Sequence, residues 1–418
     1  MRAAVLTRYG SNASALEVRK VKKPTVSGDR VLVRVCACAI SQLDLTVRHG
    51  GLEDVLHLRT REKEFIPGYE ISGIVAKIGP NVQGWFQEGD EVVGFLPIDA
   101  GAGGCAEFIA EPYYFFVKKP SVVTHAEAAG CIVPALRAYG AMVYKMRLAA
   151  GQSILILDGA SEAGHVQIQL ALHWGARVLA TVSSPEEHQY LKELSSDIVV
   201  IDTSTANLPA AVERETDGQG VDFILDNAQM EVPLASVLNQ SSTDAGRSGG
   251  KEETPPPGTP AFVSNVDLLS PRGGVVAPAE GQDALGDGAG GEDRESHPFA
   301  PACEAEPKRS TRLPVREAVL MLAPHGAWVT GSDVFLSPSD CYILHRKSAS
   351  VAFLCEQTWV LAGYQVGRYL HILQDCMDLL AQEKIKAKIT GIYKLEKIQQ
   401  AHRGLQTARV GRIVIKIG

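Results

Sequence analysis

The chain has 418 residues, 45% of them apolar and 21% charged, with a formal net charge of −7. That length exceeds one ordinary hydrophobic core and suits two domains of a globular protein. A nucleic-acid surface is excluded because it needs clustered Lys and Arg; residues 246–311 hold eleven Asp and Glu against six Lys and Arg, and the remainder is nearly neutral.

The opening run Met1-Arg-Ala-Ala-Val-Leu-Thr-Arg lacks the apolar stretch of a signal peptide, and no run approaches the ~20 apolar residues of a membrane helix. The eight Cys are scattered and form no CxxC pair. Cys36 and Cys38 fall on the same side of a predicted strand. They read as buried free thiols in a reducing compartment. The expectation is a cytosolic protein with neither a nucleic-acid nor a membrane partner.

Residues 1–120 read as β-rich. Short apolar runs at 31–35, 71–78, 91–96 and 106–110 are broken by Gly, Pro and Asp. Gly68, Gly73, Gly79, Gly84, Gly89 and Gly94 recur there as turn residues. After Pro120 the pattern changes. An Ala-rich helix is predicted over 125–144, a fully apolar strand over 153–157 and a helix over 163–174. A strand follows at 177–182. Ser184-Pro185-Glu186-Glu187 then supplies an N-cap, Pro at the first helical position and Glu at the third. Strands at 198–201 and 221–225 flank a helix at 208–216. Such alternation indicates a parallel sheet wound with helices, an α/β fold.

The run 241–312 is rich in Gly, Pro, Ala and acid and nearly empty of aromatics. Too little apolar surface is available there to offset ordering entropy, so a disordered insertion is expected. The fold resumes with a helix at 315–322, strands at 327–330 and 349–354, and a helix at 367–384 with Leu370, Leu373, Met377 and Leu380 on one face. A helix at 394–405 and a strand at 412–417 close the chain.

The strongest local chemistry is Leu157-Asp158-Gly159-Ala160-Ser161-Glu162-Ala163-Gly164, between a buried strand and a helix. A dinucleotide fold places its glycine turn there, because Gly admits the pyrophosphate and the helix start offers free N–H groups. Gly159, Ala160, Ser161 and Gly164 are the candidate contacts, with His165 at the helix start. The alternative is a plain strand–helix turn. Glu162 stands where phosphates should pass. The next strand ends in Thr181-Val182-Ser183-Ser184 with no acid at its tip. That leans toward NADP, with Ser183 and Ser184 as candidates; the alternative is that Ser184 and Glu187 simply form a capping box, and both hold if Ser183 faces the ligand.

Several motifs occur in order. They are Pro67-Gly68-Tyr69-Glu70-Ile71-Ser72-Gly73, Glu88-Gly89-Asp90-Glu91-Val92-Val93-Gly94 and Gly104-Cys105-Ala106-Glu107-Phe108. Gly175-Ala176-Arg177-Val178, Gly220-Val221-Asp222, Ala401-His402-Arg403 and Gly411-Arg412-Ile413-Val414 follow. Together they resemble the medium-chain dehydrogenase/reductase superfamily in its quinone oxidoreductase (zeta-crystallin) branch, over nearly the whole chain outside the insertion. Residues 159–170 and Arg137-Ala138-Tyr139 most resemble a divergent subgroup of that branch.

The resemblance implies a GroES-like β-rich domain and a Rossmann domain. Their expected extents are 1–124 with 356–418 for the first, and 125–240 with 313–355 for the second. It implies NADPH as cofactor, a small-molecule acceptor such as a quinone or enone, and a homodimer. Zinc-dependent relatives ligate metal at the positions held here by Ser41 and Tyr69, and a zinc site needs three or four converging ligands, so no metal is expected. Where the zinc-free branch carries Thr, this chain has Arg137. Tyr69, Ser41 and Arg137 are thus the candidate donors to a developing oxyanion. A packed aromatic, a strand-end hydroxyl and a salt-bridged helix residue are their structural alternatives. Asp44 reads as a structural acceptor and His402 as a structural residue. The competing function is a nucleotide-binding or scaffold member of the same fold with weak or no turnover.

Overall fold

The computed structural model describes residues 1–10, 12–49, 65–100, 102–229, 313–408 and 410–418. The insertion expected at 241–312 lies outside them. A short antiparallel pair, β1 (Arg2–Leu6) and β2 (Leu16–Lys20), opens the chain. Next come β3 (Arg30–Ile40), α1 (Gln42–Arg48), β4 (Glu70–Ile78), β5 (Glu91–Phe95), β6 (Phe108–Pro112) and β7 (Phe116–Lys118). The glycines of this region divide into two kinds. Gly68, Gly84 and Gly89 take positive φ at turns, whereas Gly73 and Gly94 lie within strands whose neighbours leave no room for a Cβ; at Gly73 it would sit 2.3 Å from the Arg34 carbonyl oxygen.

The long Ala-rich segment forms α2 (His125–Ala138), shorter than its pattern suggested. A π-helical turn continues it over Tyr139–Lys145. There the Tyr139 ring stands edge-on to Trp174 at 5.1 Å and its hydroxyl donates to Asp375.

The nucleotide half alternates strictly. It contains β8 (Ser153–Ile156), α3 (Gly164–His173), β9 (Arg177–Val182), α4 (Pro185–Leu194), β10 (Val199–Asp202), α5 (Leu208–Glu215) and β11 (Val221–Gln229). After 313 come α6 (Val315–Met321), β12 (Leu322–Gly331), α7 (Pro338–Lys347) and β13 (Ser350–Phe353). All five pairings are parallel, in the order β10-β9-β8-β11-β12-β13. Numbered within the sheet this is 3-2-1-4-5-6, the Rossmann order, which reverses between β8 and β11. Both faces are covered, so both must be apolar. Ile154 and Ile156 of β8 enter one core, while Leu155 and Leu157 enter a second core around Trp328.

The tail returns to the first half through α8 (Val366–Ala381), β14 (Ile389–Lys394), α9 (Ile398–Thr407) and β15 (Arg412–Lys416). These strands extend a seven-stranded sheet, β14-β15-β3-β4-β5-β7 with β6 also on β3. Tyr369 of α8 locks the return: its hydroxyl donates to the Phe115 carbonyl at 2.7 Å and accepts the Phe95 N–H at 2.8 Å. The fold is thus a GroES-like β-rich part joined to a Rossmann part.

Candidate active site and cofactor turn

The chain leaves β8 through Asp158, whose φ of +52° lies in the left-handed region. Gly159 and Gly164 are here for packing. A Cβ on Gly159 would lie 2.9 Å from the side chains of Ala180 and Leu191, and one on Gly164 would lie 2.4 Å from the Asp158 carbonyl oxygen. Hydrogen bonds close the turn on itself: Ser161 N–H donates to the Asp158 carbonyl at 3.0 Å and Gly164 N–H to Ser161 Oγ at 3.1 Å. Ala160 is buried, and its carbonyl accepts Gly411 N–H at 3.1 Å.

His165 is corrected by the structure. Its ring is fully buried. Nε2 accepts Lys388 N–H at 3.1 Å, so Nδ1 carries the proton and donates to the Ser161 carbonyl at 2.9 Å. Burial lowers its pKa to about 4. Nε2 ties α3 to the tail and Nδ1 ties it to the turn before it, so neither nitrogen is left for a pyrophosphate.

The tip of β9 also departs from expectation. Ser184 caps α4, its Oγ accepting Glu187 N–H at 3.3 Å. The Glu187 carboxylate does not complete a capping box; it reaches one residue further back, accepting Ser183 N–H at 2.6 Å and the Ser183 hydroxyl at 3.2 Å. An acid therefore does stand at this tip, and Ser183 is engaged by it. A carboxylate there suits ribose hydroxyls better than a 2′-phosphate.

Across the turn lies a buried charge cluster. Arg412, at the start of β15, is fully buried and its Nη2 donates to Glu70. Its Nη1 lies 3.3 Å from Glu162 Oε2. Glu162 thus points inward, toward a cation. Burial raises Glu70 to about 7 against the opposing pull of Arg412, and its second oxygen accepts Val133 N–H at 2.9 Å. Burial likewise raises Asp44 to about 6 although it accepts N–H groups of Ser41 and Gly68, each at 2.9 Å. Asp44 thus acts as a hydrogen-bond acceptor for the backbone on both sides of it.

The structure brings Ser41 and Tyr69 near Asp44, whereas Arg137 pairs with Glu356. Ser41 is the N-cap of α1, and its hydroxyl leans on Asp44 at 3.4 Å. Tyr69 is 3% exposed, and its hydroxyl is buried with no hydrogen-bond partner. Burial and the neighbouring Asp44 push its pKa well above the usual value. Arg137 is buried and pairs with Glu356 at 3.1 Å, with Nε and Nη2 unpartnered. Cys38 and Cys105 lie against Gly68 with their sulfurs 3.9 Å apart. The thiols are not uniformly buried, since Cys341 and Cys355 are exposed. Among the described residues no group of three or more His, Cys, Asp or Glu is placed to hold a metal ion.

Sequence reasoning missed Glu356, the Glu70–Arg412 pair and a reciprocal amide pair. In the last, Gln167 and Asn227 exchange hydrogen bonds at 2.8 and 2.9 Å, and Asn227 also donates to the Leu157 carbonyl at 3.0 Å. The amide pair ties α3 to β11, and the Asn227–Leu157 bond ties β11 to the end of β8, where the strand order reverses.

Residues 27–121 match the family described as alcohol dehydrogenase GroES-like domain, and residues 163–248 that described as zinc-binding dehydrogenase. The chain belongs to the medium-chain dehydrogenase/reductase superfamily, in its quinone oxidoreductase-like group. It is 32% identical to quinone oxidoreductase-like protein 1 of Mus musculus, over 87% of this chain and 83% of that one. It is 28% identical to the chloroplastic NADPH-dependent alkenal/one oxidoreductase of Arabidopsis thaliana, over 64% of this chain and 67% of that one. In fold it resembles an alcohol dehydrogenase superfamily protein from Novosphingobium aromaticivorans, with a TM-score of 0.69 at 20% identity and full coverage of both chains. Among the described residues no helix is long and apolar enough to cross a membrane.

Proposed function

We propose that this chain is a nicotinamide-dependent oxidoreductase of quinone reductase type. It takes NADPH and a small quinone or enone-like acceptor and uses no zinc. The observation that carries the reading is the strand-order reversal between β8 and β11, with Gly159 and Gly164 closing the turn onto α3 at that point. Ligands of such sheets bind outside the strand ends at the reversal. The names of the quinone oxidoreductase-like and alkenal/one oxidoreductase relatives support the acceptor class. Gly159, Ala160, Ser161, Gly164, Ser183 and Ser184 line the cofactor's path in this reading. The sheet and the close-packed turn fit a dinucleotide. Glu162 does not, since a carboxylate beside pyrophosphate repels it, and Glu187 at the β9 tip fits NADH better than NADPH.

A bound nicotinamide supplies the hydride, and the protein's part is position and electrostatics. Tyr69 holds an uncommitted hydroxyl proton beside Asp44 and is the best-placed donor to an acceptor oxygen. Ser41 contributes by fixing Asp44, and Arg137 by its unpartnered Nε and Nη2. The test is to titrate the full chain with NADPH and NADH by cofactor fluorescence and then to follow cofactor oxidation across a quinone and enone panel. Binding with turnover on at least one acceptor is the expected result. No binding at millimolar cofactor overturns the reading.

The second reading, a nucleotide-binding or scaffold member with little turnover, is favoured by the Glu162–Arg412 pair and by the ion pair that Arg137 Nη1 makes with Glu356. Binding without turnover across the panel selects it. The proposal includes the domain division given above, a cytosolic site of action and a homodimer. Among the described residues β13 is an edge strand of its sheet, with Phe353 58% exposed, a surface on which a second copy can pair. A single-chain mass by light scattering removes the dimer.

A further inference from the structure

Glu162 and Arg412 meet where the phosphates of a dinucleotide would approach α3. Glu162 Oε2 is 3.3 Å from Arg412 Nη1, and Oε1 is 3.5 Å from Gln42 N–H. Arg412 is held independently of this contact. Its Nη2 donates to Glu70, and Gly411 N–H donates to the Ala160 carbonyl at 3.1 Å, fixing the start of β15 to the turn itself. Nε and Nη1 of Arg412 make no hydrogen bond. The guanidinium thus keeps unspent donors, with Nη1 on the side that faces Glu162. The two carboxylates that flank it differ in freedom. The Glu70 side chain is 2% exposed, whereas that of Glu162 is 19% exposed and has a path to solvent.

We propose that Glu162 is a specificity-determining residue that stands in for a cofactor phosphate. In the ligand-free chain its carboxylate supplies the negative charge that Arg412 and the amino end of α3 attract. A dinucleotide binds by displacing Glu162 toward solvent, and its affinity is lowered by that competition. The inference rests on the dinucleotide reading of the turn. It goes beyond that reading by naming the residue that weakens the site and the group it imitates.

The experiment compares the full chain with Glu162→Gln and Glu162→Ala. The amide removes the charge at constant size, and Ala removes the side chain. NADPH affinity is read by fluorescence titration and inorganic pyrophosphate binding by the shift in melting temperature. Melting without ligand verifies that both variants fold, which they should because Arg412 keeps Glu70. Both variants are expected to bind NADPH tighter by about tenfold or more, the effect of removing one opposing unit charge near the phosphates at an effective dielectric constant of about 20. Pyrophosphate should raise their melting temperatures more than that of the parent. Equal or weaker binding of both probes by the variants overturns the proposal, even if the parent turns over NADPH. Gain for pyrophosphate alone upholds the role of Glu162 while removing the nicotinamide reading. No binding of either probe by any of the three chains overturns the proposal.

Discussion

His402 lies in α9 with neither ring nitrogen hydrogen-bonded. Burial, with help from Arg48 and His49, lowers its pKa to about 3. The ring is therefore neutral in the fold, while the unfolded chain takes up a proton near the ordinary value of about 6.5. Its contribution is fully present above that value and is lost as pH falls toward 3. Replacing it with Leu removes this term, and an apolar side chain leaves no buried nitrogen unsatisfied. From about pH 7 to about pH 5 the His402→Leu chain should gain roughly 2 kcal/mol relative to its parent. Urea unfolding at the two pH values measures this, and parallel acid losses in both chains would contradict it. Tyr69 gives a complementary test. Its hydroxyl has no partner, so Tyr69→Phe should leave the urea midpoint unchanged or raise it. If Tyr69 is the donor to the acceptor oxygen, kcat should fall by roughly a hundredfold. A fall in stability with unchanged turnover would make it a packing residue. Neither the orphan hydroxyl nor the Glu70–Arg412 pair was legible in the sequence. The two charges stand 342 positions apart, and only the return of β15 to β3 brings them together.

Elements were far more legible than contacts, because a strand or helix declares itself over neighbouring residues. β9 has the predicted bounds, and the Ser184-Pro185 start of α4 is as read. The start of α7 is as explicit: Ser337 accepts Asp340 N–H at 3.2 Å, with Pro338 at the first position. Little apolar periodicity follows it, since Leu344 is the buried apolar residue of that helix. α1 is seven residues long, too short for helical periodicity to show. β11 runs on through Gln229, where the polar Asp226 accepts from Thr330 of β12 and Asn227 donates to the Leu157 carbonyl at the end of β8. The glycine turn offers the test at this scale. Gly164→Ala must push a methyl toward backbone oxygens at 2.4 and 2.7 Å. Backbone cannot yield as a flexible side chain does, so a loss of about 1–3 kcal/mol is expected. A thermal melt that matches the parent's would mean that α3 can move off β8, and the close-packed turn would no longer support the dinucleotide reading.

For the whole molecule the decisive fact is that β11 and β12 are direct neighbours. Phe223 to Asp226 pair in continuous parallel register with Ala327 to Thr330. On its other side β11 pairs with β8, so it is interior to the sheet. Leu313 is 6% exposed and joins the core around Trp328 before α6 begins. The ladder and the core at this place are therefore built by residues on either side of 246–311. Two consequences follow for a chain lacking 246–311. It keeps every one of those pairings, and the shorter connection lowers the loop-closure cost by only ~0.6 kcal/mol for each halving of length. Its unfolding free energy should stay within about 1 kcal/mol of the full chain, with NADPH affinity unchanged. Urea unfolding and the fluorescence titration measure both. A loss above about 3 kcal/mol would mean that these residues contribute to the core. Unchanged stability with altered affinity would mean that they act at the cofactor turn.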